Sequence, residues 1–342
     1  MAYLNTGDLN DMQLYLVEEE AEKWQKGRIS RREFIRRVTL IAGGAAAASS
    51  VLMALGCGPT APEAQPTATA TGAGAEATAT AEPVASPTDQ TPTAQAGRDP
   101  YHVPEGDPAV RAEMVQFPTA DGSATLQAYL AASALPMAGP ANPAGVLVIH
   151  ENRGLTDYIK DVCRRLAKAR YTALGVDLIS RQGGTDAHPD EGERIGIIGQ
   201  LPPEQVIADL SAGLDYLKSR NDVSPERLGA IGFCFGGGYA WRMATRRPDL
   251  KAVAAYYGPN PPLEDVPKIK AAVLGIYGAL DTRIISQVPQ LEEALKKAGI
   301  TYQIKIYEGA DHAFHRDTGP NYNPAAAKDA WELTLQWFGQ YL

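Results

Sequence analysis

From residue 101 onward, apolar and polar positions alternate between two spacings. Residues 113–117 and 124–130 predict two strands around the turn Asp121-Gly122. Residues 145–149 form an unbroken apolar run, which suits a central strand covered on both faces. Residues 157–169 place Tyr158, Val162, Leu166 and Ala169 at helical spacing, with Cys163 a core filler among them. A strand over 172–176 follows, and then a Gly-, Asp- and Pro-rich stretch over 180–201 that reads as a loop. Beyond it the pattern predicts a helix over 203–218 and a strand ending at Cys234. Further strands are expected at 251–257, 271–277 and 302–307, and helices at 287–297 and 325–339. The last helix puts Trp331, Leu335 and Phe338 on one side. Strands alternating with helices of 10–15 residues mean an α/β fold with a mostly parallel sheet and helices on both faces.

The chain before residue 100 has no such pattern. Residues 1–29 are polar and charged and offer no core of their own; residues 38–55 are apolar and alanine-rich. Residues 59–97 are mostly Pro, Ala, Thr, Gly and Glu, too poor in large apolar groups to offset the entropy of ordering. The expected division is therefore a leader over 1–57, a disordered tether over 58–99 and one folded domain over 100–342. With 342 residues, 44% of them hydrophobic, the chain can fill one full-sized core. A net charge of −8 without a basic stripe speaks against a nucleic-acid partner. Three scattered cysteines cannot make a disulfide scaffold, and no Cys/His spacing suits zinc.

The order Ser30-Arg31-Arg32-Glu33-Phe34-Ile35, followed by the apolar run, resembles a twin-arginine (Tat) export signal. Ala54-Leu55-Gly56-Cys57 resembles a lipoprotein cleavage box, with Cys57 the lipidated residue. The expectation is an exported protein, a client of the Tat export machinery, tethered to the outer face of the membrane by lipid on Cys57. A single uncleaved membrane helix is the alternative.

The chemistry centres on residues 228–243. A strand that turns abruptly into a helix needs small residues where its backbone crowds, and Gly232 and Gly236 flank Cys234 there. This is a G-x-nucleophile-x-G elbow with cysteine in the serine position; a buried structural cysteine is the bland alternative. A nucleophile needs a base and a group to orient that base. Asp281 follows one predicted strand and His312 the next, so nucleophile, acid and histidine appear in the order this architecture uses. Asp311 is the rival acid, but neighbours in sequence usually point apart. The loop His150-Glu151-Asn152-Arg153-Gly154 follows the central strand. Backbone N–H groups of Asn152 and Phe235 are the expected oxyanion donors. His102, His150, His188 and His315 are read as satisfied polar or surface histidines.

Residues 113–342 resemble the dienelactone hydrolase family of the α/β-hydrolase superfamily. The resemblance rests on HENRGL (150–155), DLISRQGG (177–184), GFCFGG (232–237), the acid after 278–280, and GADHAFHR (309–316). It implies a Cys234–Asp281–His312 triad, with Glu151 pairing the resting thiol and drawing off its proton when substrate binds. It also implies that Arg181 and Arg316 hold a substrate carboxylate. The implied reaction is hydrolysis of an enol-lactone or related small ester through an acyl-cysteine, with no cofactor or metal required. A broader esterase or acyl-transfer enzyme, and a lipid-tethered binding module without catalysis, are the competing readings. The leader, the polar ENRG loop and the acidic stretch 186–193 depart from the family's usual pattern and bear on the substrate more than on the chemistry.

Overall fold

The computed structural model describes residues 9–54, 99–135 and 142–342. An eight-stranded sheet organises them, in the spatial order β1-β2-β4-β3-β5-β6-β7-β8. Strands β1 (Val110–Pro118) and β2 (Thr125–Ser133) form an antiparallel edge. β2 joins β4 (Thr172–Val176) antiparallel, and the rest run parallel: β3 (Ala144–Ile149), β5 (Ser224–Phe233), β6 (Leu250–Tyr256), β7 (Ala272–Gly278) and β8 (Tyr302–Tyr307). All six residues of β3 are buried, as its unbroken apolar run requires. Helices cover both faces: α4 (Asp157–Lys168) and α10 (Pro324–Tyr341) one, α6 (Pro203–Ser219) and α7 (Phe235–Arg246) the other. Two short helices, α8 (Thr282–Ile285) and α9 (Val288–Ala298), follow β7.

Two expectations need correction. The stretch 180–201 is not only loop: it holds two 3₁₀ turns and helix α5 (Glu191–Gly199). Three glycines in nine residues hid that helix, because glycine is a poor helix former. The second correction concerns the leader. The leader has no separate core but it is folded onto the domain: Asp11–Gln25 form α1 and Arg31–Ile41 form α2, and their buried apolar residues join the core of the sheet domain. Asn10 caps α1 through a capping box, and Ser30 caps α2. Tyr15, Leu16, Val17, Phe34, Val38 and Ile41 are buried, and Trp24 stacks on Phe34 with ring centroids 5.1 Å apart. The glycines of α5 explain the docking. A Cβ on Gly196 would crowd Leu40, and one on Gly199 would crowd Ile41, so bare backbone lets α2 come close. The apolar run 38–55 is thereby split between the end of α2 and α3 (Ala45–Ala54). No described helix is long and apolar enough to cross a membrane. Cys57 and the expected tether lie outside the described residues, apart from Asp99 at the tether's end.

Among the glycines of the described residues, the closest backbone packing lies where β5 passes into α7. A Cβ on Gly232 would overlap the carbonyl of Gly236, and one on Gly236 would overlap the carbonyl of Ile149. Gly232→Ala should therefore lower unfolding free energy by at least the ~1–3 kcal/mol typical of overpacked sites. Urea denaturation of the two proteins checks this; equal midpoints would refute the crowding.

Candidate active site

Cys234 sits between β5 and α7 with φ 58° and ψ −120°, a strained conformation for any residue with a Cβ. Its N–H donates to Tyr256 O at 3.0 Å, so the neighbouring strand β6 holds the turn. The side chain is 2% exposed yet lines a cavity of about 270 Å³. Phe235 begins α7 directly after it and is buried.

Asp281 caps α8 through Ile284 N–H, and its other carboxylate oxygen lies 2.6 Å from His312 Nδ1. That contact fixes the tautomer: Nδ1–H donates to the carboxylate, leaving Nε2 for the sulfur. The sulfur of Cys234, a ring nitrogen of His312 and a carboxylate oxygen of Glu19 lie within 4.8 Å of one another. Asp311, the rival acid, is engaged elsewhere, with Lys26 at 2.8 Å and Arg28 at 3.5 Å. Burial opposes a charged His312, but Asp281 and Cys234 outweigh it and hold its pKa well above the usual histidine value. Burial likewise opposes the Asp281 charge, and His312 overcomes it to keep that carboxyl below its usual range.

The loop after β3 supplies the opposite wall. Leu178 N–H donates to His150 Nε2 at 3.1 Å, so Nδ1 carries the proton and donates to Glu151 O at 2.6 Å. His150 is thus a buried tie that fixes the backbone of Glu151. The Glu151 carboxylate lies 3.6 Å from Arg316 and 3.9 Å from Arg153, and burial pushes its pKa up. Asn152 is 1% exposed and lines the cavity.

The structure departs from expectation at two site residues. It does not bring Glu151 into hydrogen-bond contact with the thiol; Glu19 of α1 takes that place, accepting from Cys234 Sγ at 3.3 Å. Arg181 does not join Arg316 at the cavity. Its guanidinium pairs with the buried Asp209 at 2.9 Å and also reaches Ser123, which fixes the turn after β4 instead. Arg316 does line the cavity, and Arg153 stands there with it. Of the other histidines, His102 is met by Asp161 and His188 by Glu193, while buried His315 meets Tyr158 through Nδ1 and has no hydrogen-bond partner at Nε2 among the described residues. Cys163 is buried, which pushes its thiol up to about 12 and leaves it inert.

Sequence reasoning missed Tyr15, Glu19 and Lys23, which reach the site from α1. Tyr15 OH lies 3.3 Å from Cys234 Sγ. Glu19 also accepts from Asn152 Nδ2 at 3.3 Å and pairs with Lys23 at 2.6 Å. The signal available was the capping box Asn10/Gln13 ahead of an apolar 14–17 run.

The raised His312 pKa has a consequence for stability. Unfolded histidine titrates near ~6.5. The His312–Asp281 attraction is therefore fully present below that pH and is lost as pH rises through the higher folded value. Thermal melts from pH 6 upward should show that loss, and Asp281→Asn should reduce the slope. An identical slope in both proteins would contradict the pairing.

Comparison with known proteins agrees with this geometry. Residues 127–342 match the dienelactone hydrolase family. A provisionally named carboxymethylenebutenolidase of Methylorubrum extorquens is 36% identical over 239 residues, covering 66% of this chain and 80% of that protein. One from Salmonella typhimurium is 35% identical over 252 residues, covering 70% and 90%. The crystal structure of a provisionally named dienelactone hydrolase from Klebsiella pneumoniae superposes with a TM-score of 0.62 at 33% identity, covering 68% of this chain and all of that one.

Proposed function

Because the chain belongs to the dienelactone hydrolase family, we propose that it hydrolyses a small carboxylic ester or enol-lactone through an acyl-cysteine on Cys234. The observation that carries this reading is Cys234 at the strained elbow, within 4.8 Å of a His312 whose far nitrogen is 2.6 Å from Asp281. His312 Nε2 takes the thiol proton and the thiolate attacks the carbonyl carbon. The oxyanion forms against the backbone N–H groups of Asn152 and Phe235. As the tetrahedral centre collapses, the C–O bond breaks and His312 returns the proton to the leaving oxygen. Water, deprotonated by His312, then cleaves the thioester and frees the acid and the thiol. An enol leaves more readily than an alkoxide, which favours forward collapse over expulsion of the thiolate. The burial-raised Glu151 is the nearby carboxyl suited to exchanging a proton once substrate is bound.

The cavity's cations Lys23, Arg37, Arg153 and Arg316 stand among Glu19, Glu151 and Glu191, and a substrate carboxylate would take one of them over from its present partner. Arg316 is the residue assigned to it. Cys234→Ala should abolish hydrolysis of p-nitrophenyl acetate, and Asp281→Asn should cut kcat by about 10³–10⁴. Turnover unaffected by Cys234→Ala would refute the mechanism. Arg316→Ala should raise KM for a carboxylate-bearing lactone about tenfold or more while sparing a neutral ester, as expected when one charged hydrogen bond is lost. Equal effects on both substrates would remove the arginine from that role.

We further propose export by the twin-arginine route with lipid attachment at Cys57. Arg31 and Arg32 support it by standing exposed at the start of α2. Cys57→Ser should release the protein from membrane fractions or block processing of its leader. Unchanged membrane retention of a processed protein would exclude the lipid.

A further inference from the structure

The family match begins at residue 127, so the sheet and the triad are built almost wholly by residues that follow the hairpin α1–α2. Yet α1 lies directly on Cys234. Glu19 and Tyr15, one helical turn apart, both stand 3.3 Å from the sulfur. A carbonyl carbon must come to about 3–3.5 Å of that sulfur to react, and these two side chains occupy the approach. The thiol donates to Glu19, and Tyr15 OH, left to donate, points its proton at the sulfur. Arg283 lies 4.5 Å from the centre of the Tyr15 ring and holds the ring from behind. Glu19 is itself fixed, between Lys23 and the Asn152 amide.

We propose that the hairpin α1–α2 is an intramolecular cover for the active site, in which Glu19 keeps the thiol protonated and Tyr15 closes the path to sulfur. The proposal rests on Cys234 being the nucleophile. The charged and titratable groups facing the sulfur are Tyr15 and Glu19 from α1, Glu151 and Arg153 from the loop after β3, Tyr257 just after β6, and His312 from the loop after β8. Burial raises the thiol pKa first and Glu19 raises it further, while His312 pulls it down. Burial works against a charged Glu19, but Lys23, His312 and Arg283 prevail and keep it ionised. The anion beside the sulfur therefore opposes thiolate and, with it, oxidation of the resting cysteine.

The centre of the cover is held by buried apolar side chains such as Leu16, Phe34 and Ile41, and its rim is held more weakly. Its outer contacts are half-exposed ion pairs, Lys26 and Arg28 with Asp311 and Arg36 with Asp190, which salt screens. Its seat is the bare glycine backbone of α5. Cleavage before Cys57, proposed above, would remove Tyr15 and Glu19 together with the leader.

The test uses the full chain in a Cys57→Ser background, so that alkylation by iodoacetamide reports on Cys234, with mass spectrometry locating the label. Glu19→Gln should speed alkylation of Cys234 at pH 7 at least tenfold and move the midpoint of its pH profile downward. Gly196→Leu changes none of the side chains that meet the sulfur, but strikes Leu40 and should unseat the hairpin, giving a comparable gain. Cys163 is the internal control, since it stays unlabelled while the domain is folded. Parental rates and midpoints in both variants would overturn the cover, as would labelling of Cys163 in step with Cys234. Cys234-dependent ester turnover with unchanged alkylation would remove the cover and leave the hydrolase reading intact. A gain in alkylation without any Cys234-dependent turnover would do the reverse.

Discussion

The backbone has no spare room where β5 becomes α7, and the site depends on that crowding. Gly232 is held so close to the peptide of Gly236, and Gly236 so close to the end of β3, that neither tolerates a Cβ. The turn leaves Cys234 at positive φ, projecting from the carboxyl end of the sheet instead of packing within it. The same closeness brings the loop after β3 beside the sulfur, since the carbonyls of Ile149 and His150 are what Gly236 packs against. Strain at one residue is thus maintained by three strands, β3, β5 and β6, whose register the parallel ladder fixes.

Electrostatics then decides the state of the sulfur. Two carboxylates, Asp281 and Glu19, act on it in opposite senses. Asp281 works through His312 and favours an imidazolium beside the sulfur; Glu19 touches the sulfur and disfavours a thiolate. Both lie in surroundings with little water, where such contacts weigh far more than on the surface. Glu151 is a third carboxyl within the same enclosure, poised by burial and by two arginines. The balance among these groups shifts if α1 moves, because Glu19 is the one contributed by a separate part of the chain.

Legibility in the sequence followed the locality of the signal. Strand β4 and strand β8 were read with their observed ends, and β3 within one residue, because unbroken or alternating apolar runs report burial directly. The Gly-x-Cys-x-Gly elbow was readable for the same reason: its constraint is set by neighbours in the chain. Helix α5 was hidden because its glycines serve a partner that lies more than 150 positions earlier. Helix α1 was hidden because its buried face includes Glu19 and Glu20, whose charges are paired by Lys23 and Arg37. A polarity pattern marks such residues as solvent-facing, and only their partners show otherwise.

The amino-acid sequence by itself determined an α/β domain with a cysteine at a strand-to-helix elbow and an acid and a histidine after later strands. Those features arise from side-chain periodicity and from backbone sterics that act over a few residues. Which carboxylate meets the sulfur, and which arginine reaches the cavity, was decided only by tertiary packing. Glu19 and Glu151, like Arg181 and Arg316, are chemically alike in the chain. Distances set by the docking of α1 on the domain and by the pull of Asp209 on Arg181 separate them, and no local pattern encodes a distance between elements that meet only in the folded protein.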